Sequence, residues 1–315
     1  MKTNQFTTSI RIFLCLIGCT LFSTVNAQLI QISNEAELKA IASNLSGNYQ
    51  LTNDITLTGE WTPIGNDKPF SGILYGNNHV IRNLKISDGS ANVGLFARTY
   101  GALIQDLGIE NAKVSAPNSK AAGIIIGHST ASYIENSYIT DSEIEGNNVG
   151  SFIGTAVNRN INFSVISNSY STANVKSGSS AGGIVGTSEG IYIESVYFAG
   201  SIDAATICGG ITATSKGENS ISGCVVLSPN LKAQETGKII GKAGNDLLEI
   251  NNVYAVEGNA MGVFNGTQEQ VFRPDDSEIN AKNPLFYQRH LYWESRFWDF
   301  KEGSYPTLLW QKVNE

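Results

Sequence analysis

The chain repeats itself, and the repeat restricts what it can fold into. "AGIIIGHSTASYIENSYI" begins at Ala122, "VGSFIGTAVNRNINFSVISNSYS" at Val149 and "AGGIVGTSEGIYIESVYFAGSI" at Ala181. Anchored on the isoleucine in the second half of each copy, Ile81, Ile104, Ile134, Ile166, Ile193, Ile221 and Ile250 form one column. Their intervals are 23, 30, 32, 27, 28 and 29 residues. Three places on stand Leu84, Leu107, Ser137, Ser169, Val196, Cys224 and Val253. Between the two columns lie Asn83, Asp106, Asn136, Asn168, Ser195, Gly223 and Asn252. In a straight strand, positions 0 and 3 point to opposite faces. Both are apolar or small here, so the chain must turn between them, and Asn, Asp and Gly tolerate the left-handed backbone of a turn. Each copy reads as strand, corner, strand.

The first halves agree as well. Leu95, Ile125, Phe152, Ile184, Ile211 and Ile239 form a large apolar column, and two positions later Ala97, Gly127, Gly154, Gly186, Ala213 and Gly241 are all small. Large beside small predicts an inward column at a crowded bend. A unit of this size, with two or three short strands, cannot bury its own apolar face. Stacking copies solves this, each strand pairing with its equivalent one coil along. The expected fold is all-β: a right-handed parallel β-helix of roughly eight coils.

"GGIVG" followed by I-x-N-S-Y resembles the GLUG-motif repeat of bacterial surface proteins and of the N-terminal part of IgA-specific metallopeptidases. The stretch "ISNEAELKAIASNLSGNYQLTNDITLTGEWTPIGNDKPFSGILYGNNHVIRNLKI" is similar to that family's opening, and the likeness covers about residues 31–310. It departs at Asn77 in the glycine-rich turn and at Thr212 and Lys238, which interrupt regular columns. The resemblance implies a β-helix on a bacterial surface.

Open ends of such a rod expose unpaired edges and need covers. In "SNEAELKAIASNL", Ser33 or Asn34 can cap a helix whose stripe is Leu38, Ile41, Ala42 and Leu45. Residues 28–60 are therefore assigned to a capping helix and first coil, and 61–282 to the repeats. Residues 283–315 form an aromatic cap expected to seal the last coil. That cap holds Trp293, Trp298 and Trp310 with Tyr287, Tyr292, Phe297, Phe300 and Tyr305. Cap core is the first reading of these rings. The alternative is a stacking platform for a sugar or peptide, in which Tyr292, Trp293 and Trp298 would touch ligand.

Residues 1–27 have the pattern of a signal peptide: Lys2 and Arg11, then "IFLCLIGCTLF", then Val25 and Ala27 before a cleavage point. Processing is expected after Ala27. The rival is "LIGC", a lipobox that would make Cys19 a lipidated N-terminus and supply the only membrane attachment. The net charge of −7, without a basic cluster, argues against nucleic acid.

No catalytic or metal-binding constellation is evident, and no cofactor is implied. There is no HExxH, and with His79, His128 and His290 each standing alone a catalytic triad is not expected. Asp141, Glu143 and Glu145 alternate and are expected to form one solvated strand face, while Glu135 and Glu194 share a column two coils apart. No Arg, Lys or aromatic cluster accompanies these acids in the coil body. Cys208 and Cys224 fall in inward columns on different strands, which predicts buried free thiols. The functional expectation is an exported, non-catalytic, adhesin-like module for a host or environmental glycan or protein. Its rivals are a polysaccharide lyase or hydrolase, and an accessory to a separate peptidase. The sequence does not set the oligomeric state.

Overall fold

A computed structural model describes residues 29–87, 89–228, 230–244, 248–257, 260–265, 268–271 and 280–314. Ala27 and Cys19 lie outside the described residues. One turn shows how the repeats build a rod. Glu143–Gly150 runs along one side, Ile153–Val157 along a second and Ser164–Ser171 along a third, before Asn174–Gly182 opens the next turn. Each strand pairs in parallel with its equivalent: Ile144 with Val175, Ile153 with Val185, Ile166 with Ile193. Among the described residues the three sides are a broad sheet of 15 strands, a polar sheet of 10 and a narrow sheet of 6. About seven turns stack, the first marked on the narrow side by bridges from Ile64 to Phe96 and from Phe70 to Thr99.

The isoleucine column from Ile104 to Ile250 is a single buried ladder, and the Leu95–Ile239 column is a second. Ile81 does not belong to the first. Leu74 pairs with Ile104, whereas Ile81 pairs with Ile109. The register shifts between Tyr75 and His79 because Asn77 and Asn78 both take positive φ, 51° and 66°. Two left-handed residues stand where later coils have one, a bulge that adds two positions to the strand. The first interval in the sequence is short because Ile81 lies past the corner, in the place Ile109 takes one coil on; from its true equivalent, Leu74, to Ile104 the interval is 30 residues. Asn83 and Leu84 accordingly belong to a different corner, beside Asn111 and Ala112.

The corner residues are left-handed: φ is 54° at Asp106, 49° at Asn136, 46° at Asn168, 57° at Ser195, 58° at Gly223 and 51° at Asn252. A corner interrupts the ladder and leaves an amide without its strand partner, which is costly inside a protein. Serines answer this. The Leu107 N–H donates to Ser137 Oγ at 3.2 Å, and the Ser137 N–H donates to Ser169 Oγ at 3.1 Å. Each hydroxyl in turn donates to the carbonyl two residues back, Glu135 and Ser167. Ser132 and Ser142 serve Ala102 and Ala112 in the same way at two further corners. At Cys224 a thiol replaces the hydroxyl and donates to the Ser222 carbonyl at 3.2 Å.

The small column marks close approach, as expected. A Cβ on Gly154 would lie 2.5 Å from the Ala122 backbone nitrogen of the preceding turn, and one on Gly186 2.5 Å from the Gly154 carbonyl oxygen. Thr212 keeps its register with Val185 and Ile240 despite its hydroxyl.

At the start, strand Ile30–Ile32 precedes helix α1 (Glu35–Ala40). Asn34 is the N-cap, its Oδ1 accepting from the Glu37 N–H at 3.0 Å, while Glu37 accepts from the Ser33 N–H. Leu38 and Ile41 are buried. Ala42 is exposed, contrary to its place in the expected stripe, because the helix tightens into a 3₁₀ turn at Ile41–Ser43.

The aromatic segment covers a different surface from the one expected. Its rings pack on the outer face of the broad sheet, along the flank of the rod, and not over the last coil. Tyr138, Tyr170 and Tyr197 stack there on successive rungs, with centroids 5.5 and 4.7 Å apart. Trp298, Trp293 and Trp310 lie on them in one buried cluster with Val80, Val225 and Tyr254. Hydrogen bonds fix the clasp: Trp293 Nε1–H to the Gly223 carbonyl at 2.8 Å, Trp310 Nε1–H to Asn136 at 3.1 Å, and the Tyr197 hydroxyl to Pro306 at 2.8 Å. A tyrosine four residues after Ile134, Ile166, Ile193 and Ile250 gives the broad sheet an apolar outer face, so the flank needs a cover. The last parallel rung is followed instead by antiparallel strands Ala260–Asn265 and Gln268–Val271.

Candidate binding groove

Among the described residues the polar sheet carries no such cover. Two outward columns run along it, one of Lys85, Lys113, Glu143, Asn174 and Ser201. The other includes Ser115, Glu145, Lys176, Asp203 and Lys232. Val114, Ile144, Val175 and Ile202 alternate with them and point into the core. The strands therefore hold the polar heads at fixed height, one rung every ~4.8 Å. Together they line an open groove of about 430 Å³ reaching from Lys85 and Ser87 to Ser201.

The ends of this face are paired and its middle is not. Lys85 meets Glu60 at 2.6 Å, which holds the Glu60 carboxyl below its ordinary range, and Lys232 lies 3.6 Å from Asp203. Ser201 donates to Asn174 Oδ1 at 2.7 Å. Between them Lys113, Glu143, Glu145 and Lys176 close no ion pair among the described residues, so their heads are free to meet a ligand.

Glu143 and Glu145 do share an outward strand face. Asp141 does not, because its φ of 50° places it at the preceding corner. The lysine cluster missing from the sequence is assembled by stacking: Lys113 lies opposite Glu143, and Lys176 opposite Glu145. Residues about one coil apart in the chain carried no local signal. The coil length, applied to the charged positions, would have found them.

Glu135 and Glu194 share a column with Ser167 between them. Burial, and after it the charge of Asp106, holds the Glu135 carboxyl above its usual range; burial also raises Asp106. Among the described residues no group of three His, Cys, Asp or Glu side chains could hold a metal ion.

Trp293 and Trp298 are buried and stack on each other at 4.3 Å, with no ring face open to solvent, whereas Tyr292 is 64% exposed with a φ of 57°. Cys208 and Cys224 are free and buried, on different sides of the rod. Burial pushes the Cys224 thiol up to about 12. Among the described residues no helix is long and apolar enough to cross a membrane.

No family model matches the chain. The fold is found in a crystal structure from Bacteroides ovatus, provisionally named an immunoglobulin A1 protease. The TM-score is 0.71 at 22% identity, over 91% of this chain and 94% of that one. A second chain named IgA1 protease matches with a TM-score of 0.51 and 17% identity, over 71% of this chain and 19% of that one. Both share the solenoid, in keeping with the GLUG-type repeat. By sequence, 144 residues are 32% identical to halomucin of Haloquadratum walsbyi, covering 40% of this chain and 2% of halomucin.

Proposed function

We propose that this chain is an exported, non-catalytic binding module that holds an extended polar polymer, a glycan or a peptide, along its polar sheet. The supporting observation is the groove: successive rungs present Lys, Glu, Asn and Ser heads on a rigid face while the flank beside it is sealed. A rigid scaffold suits recognition because little freedom is lost on binding. Export rests on the leader, with processing after Ala27 or lipidation at Cys19, and on the likeness to a halomucin segment. Exposed Tyr292 is a secondary contact. The test is an array of glycans and host proteins probed with wild type and with Lys113→Glu/Lys176→Glu. Binding that the double variant loses, with unchanged melting, supports the groove; equal binding by both refutes it.

A polysaccharide-cleaving reading has one specific observation in its favour, the carboxylates flanked by lysines at Lys113–Glu143 and Glu145–Lys176. New reducing ends or unsaturated products from acidic polysaccharides, lost in Glu143→Gln, would establish it over the binding module.

A further inference from the structure

The turn that contains residues 158–163 has an insertion its neighbours lack, and it is rigid. Arg159 and Asn162 exchange backbone hydrogen bonds at 2.9 and 3.1 Å, closing a tight hairpin with Asn160 at a φ of 57°. Its tip is Ile161, 85% exposed, in a chain whose isoleucines are otherwise almost all buried among the described residues. Both flanks of the hairpin are pinned to the rod by rings. The Arg159 guanidinium lies 5.0 Å over the Tyr100 ring, and Phe163 packs on Tyr192 at 4.6 Å. Tyr100 is itself 38% exposed. The result is a fixed apolar knob beside an aromatic shelf.

We propose that this knob is a self-association site, through which two copies of the chain pair about a two-fold axis. Isoleucine offers a sugar neither a hydrogen bond nor a ring face, so the tip fits a protein surface. The patch carries both halves of a charge pair. Arg159 closes no ion pair among the described residues, and neither does Glu189, which stands on the adjacent rung beside Val157. An isologous contact brings residue i of each copy to residue j of the other. Arg159 of one copy then faces Glu189 of the second, while each Ile161 packs against the other's Tyr100 and Phe163. Tyr, Phe and Arg are the side chains enriched at such interfaces. The patch is small, so the association is weak, on the order of 0.1 mM, and serves copies concentrated on one surface. This inference is independent of what the groove binds.

Sedimentation equilibrium of the exported chain tests it. Wild type is expected to dimerise reversibly. Ile161→Asp, Arg159→Glu and Glu189→Arg should each weaken the dimer at least tenfold, and the swap Arg159→Glu/Glu189→Arg should restore it. All four variants should melt as wild type does, since the sites are exposed. A wild type that stays monomeric up to about 1 mM overturns the proposal. So does a dimer unaffected by Ile161→Asp, or a charge swap that fails to rescue.

Discussion

Two long faces of the same rod have had opposite fates. On the broad sheet the outward column is Val80, Gly108, Tyr138, Tyr170, Tyr197, Val225 and Tyr254, and a clasp of tryptophans and a phenylalanine lies on it. On the polar sheet the outward columns are Lys, Glu, Asp, Asn and Ser, and most of them are exposed. The backbone ladders beneath are alike, parallel from coil to coil. The difference teaches that the interior columns decide the fold, while the outward columns decide which faces are spent on stability and which stay available.

The largest expected effect lies under both faces. Ile193→Asp places a carboxylate in the apolar interior and should cost on the order of 4 kcal/mol or more. Expression with wild-type melting and circular dichroism would contradict the column. Next comes the clasp. Trp298→Ala should cost about 3–5 kcal/mol, because the ring is buried between Trp293 and the tyrosines, and truncation before Asn283 should bare the tyrosine ladder and cause self-association. Unchanged urea midpoints would mean that the clasp is not a structural cover.

A smaller effect of opposite sign is expected at the Asp106 corner. Burial raises the Asp106 carboxyl, so folding favours its protonated form. That advantage is full in acid and is lost as pH rises through the raised value. Asp106→Asn keeps a corner-tolerant residue, matching Asn136 and Asn168, and removes the penalty. It should gain about 0.5 kcal/mol at neutral pH and nothing in acid, as thermal melts across pH will show. The smallest stability effect is on the open face, where Lys113→Glu should leave melting unchanged and alter binding only.

Much of this was legible in the chain. The Leu95 and Ile104 columns, the left-handed corners and the small residues at the bend are each imposed locally, by burial or by backbone conformation, and they recur once per coil. What escaped was of two kinds. The Asn77–Asn78 bulge shifted the first coil because two turn-tolerant residues look no different from one. The placement of the clasp and the pairing of Lys113 with Glu143 depend on which coils become neighbours. Asn136 and Trp310 meet across most of the repeat, and no local pattern joins them. The serine partners at the corners were visible as a column but not as hydrogen bonds, since their function appears only against the preceding rung.

The division between a sealed face and an open one is tested most directly by lysine footprinting. Acetylation rates would be measured with and without the polymer the array selects. Protection should fall on Lys85, Lys113 and Lys176 in the groove and spare Lys282 and Lys301 on the clasp. Protection of the clasp lysines with the groove lysines unchanged would contradict the account and move the binding site to the aromatic flank.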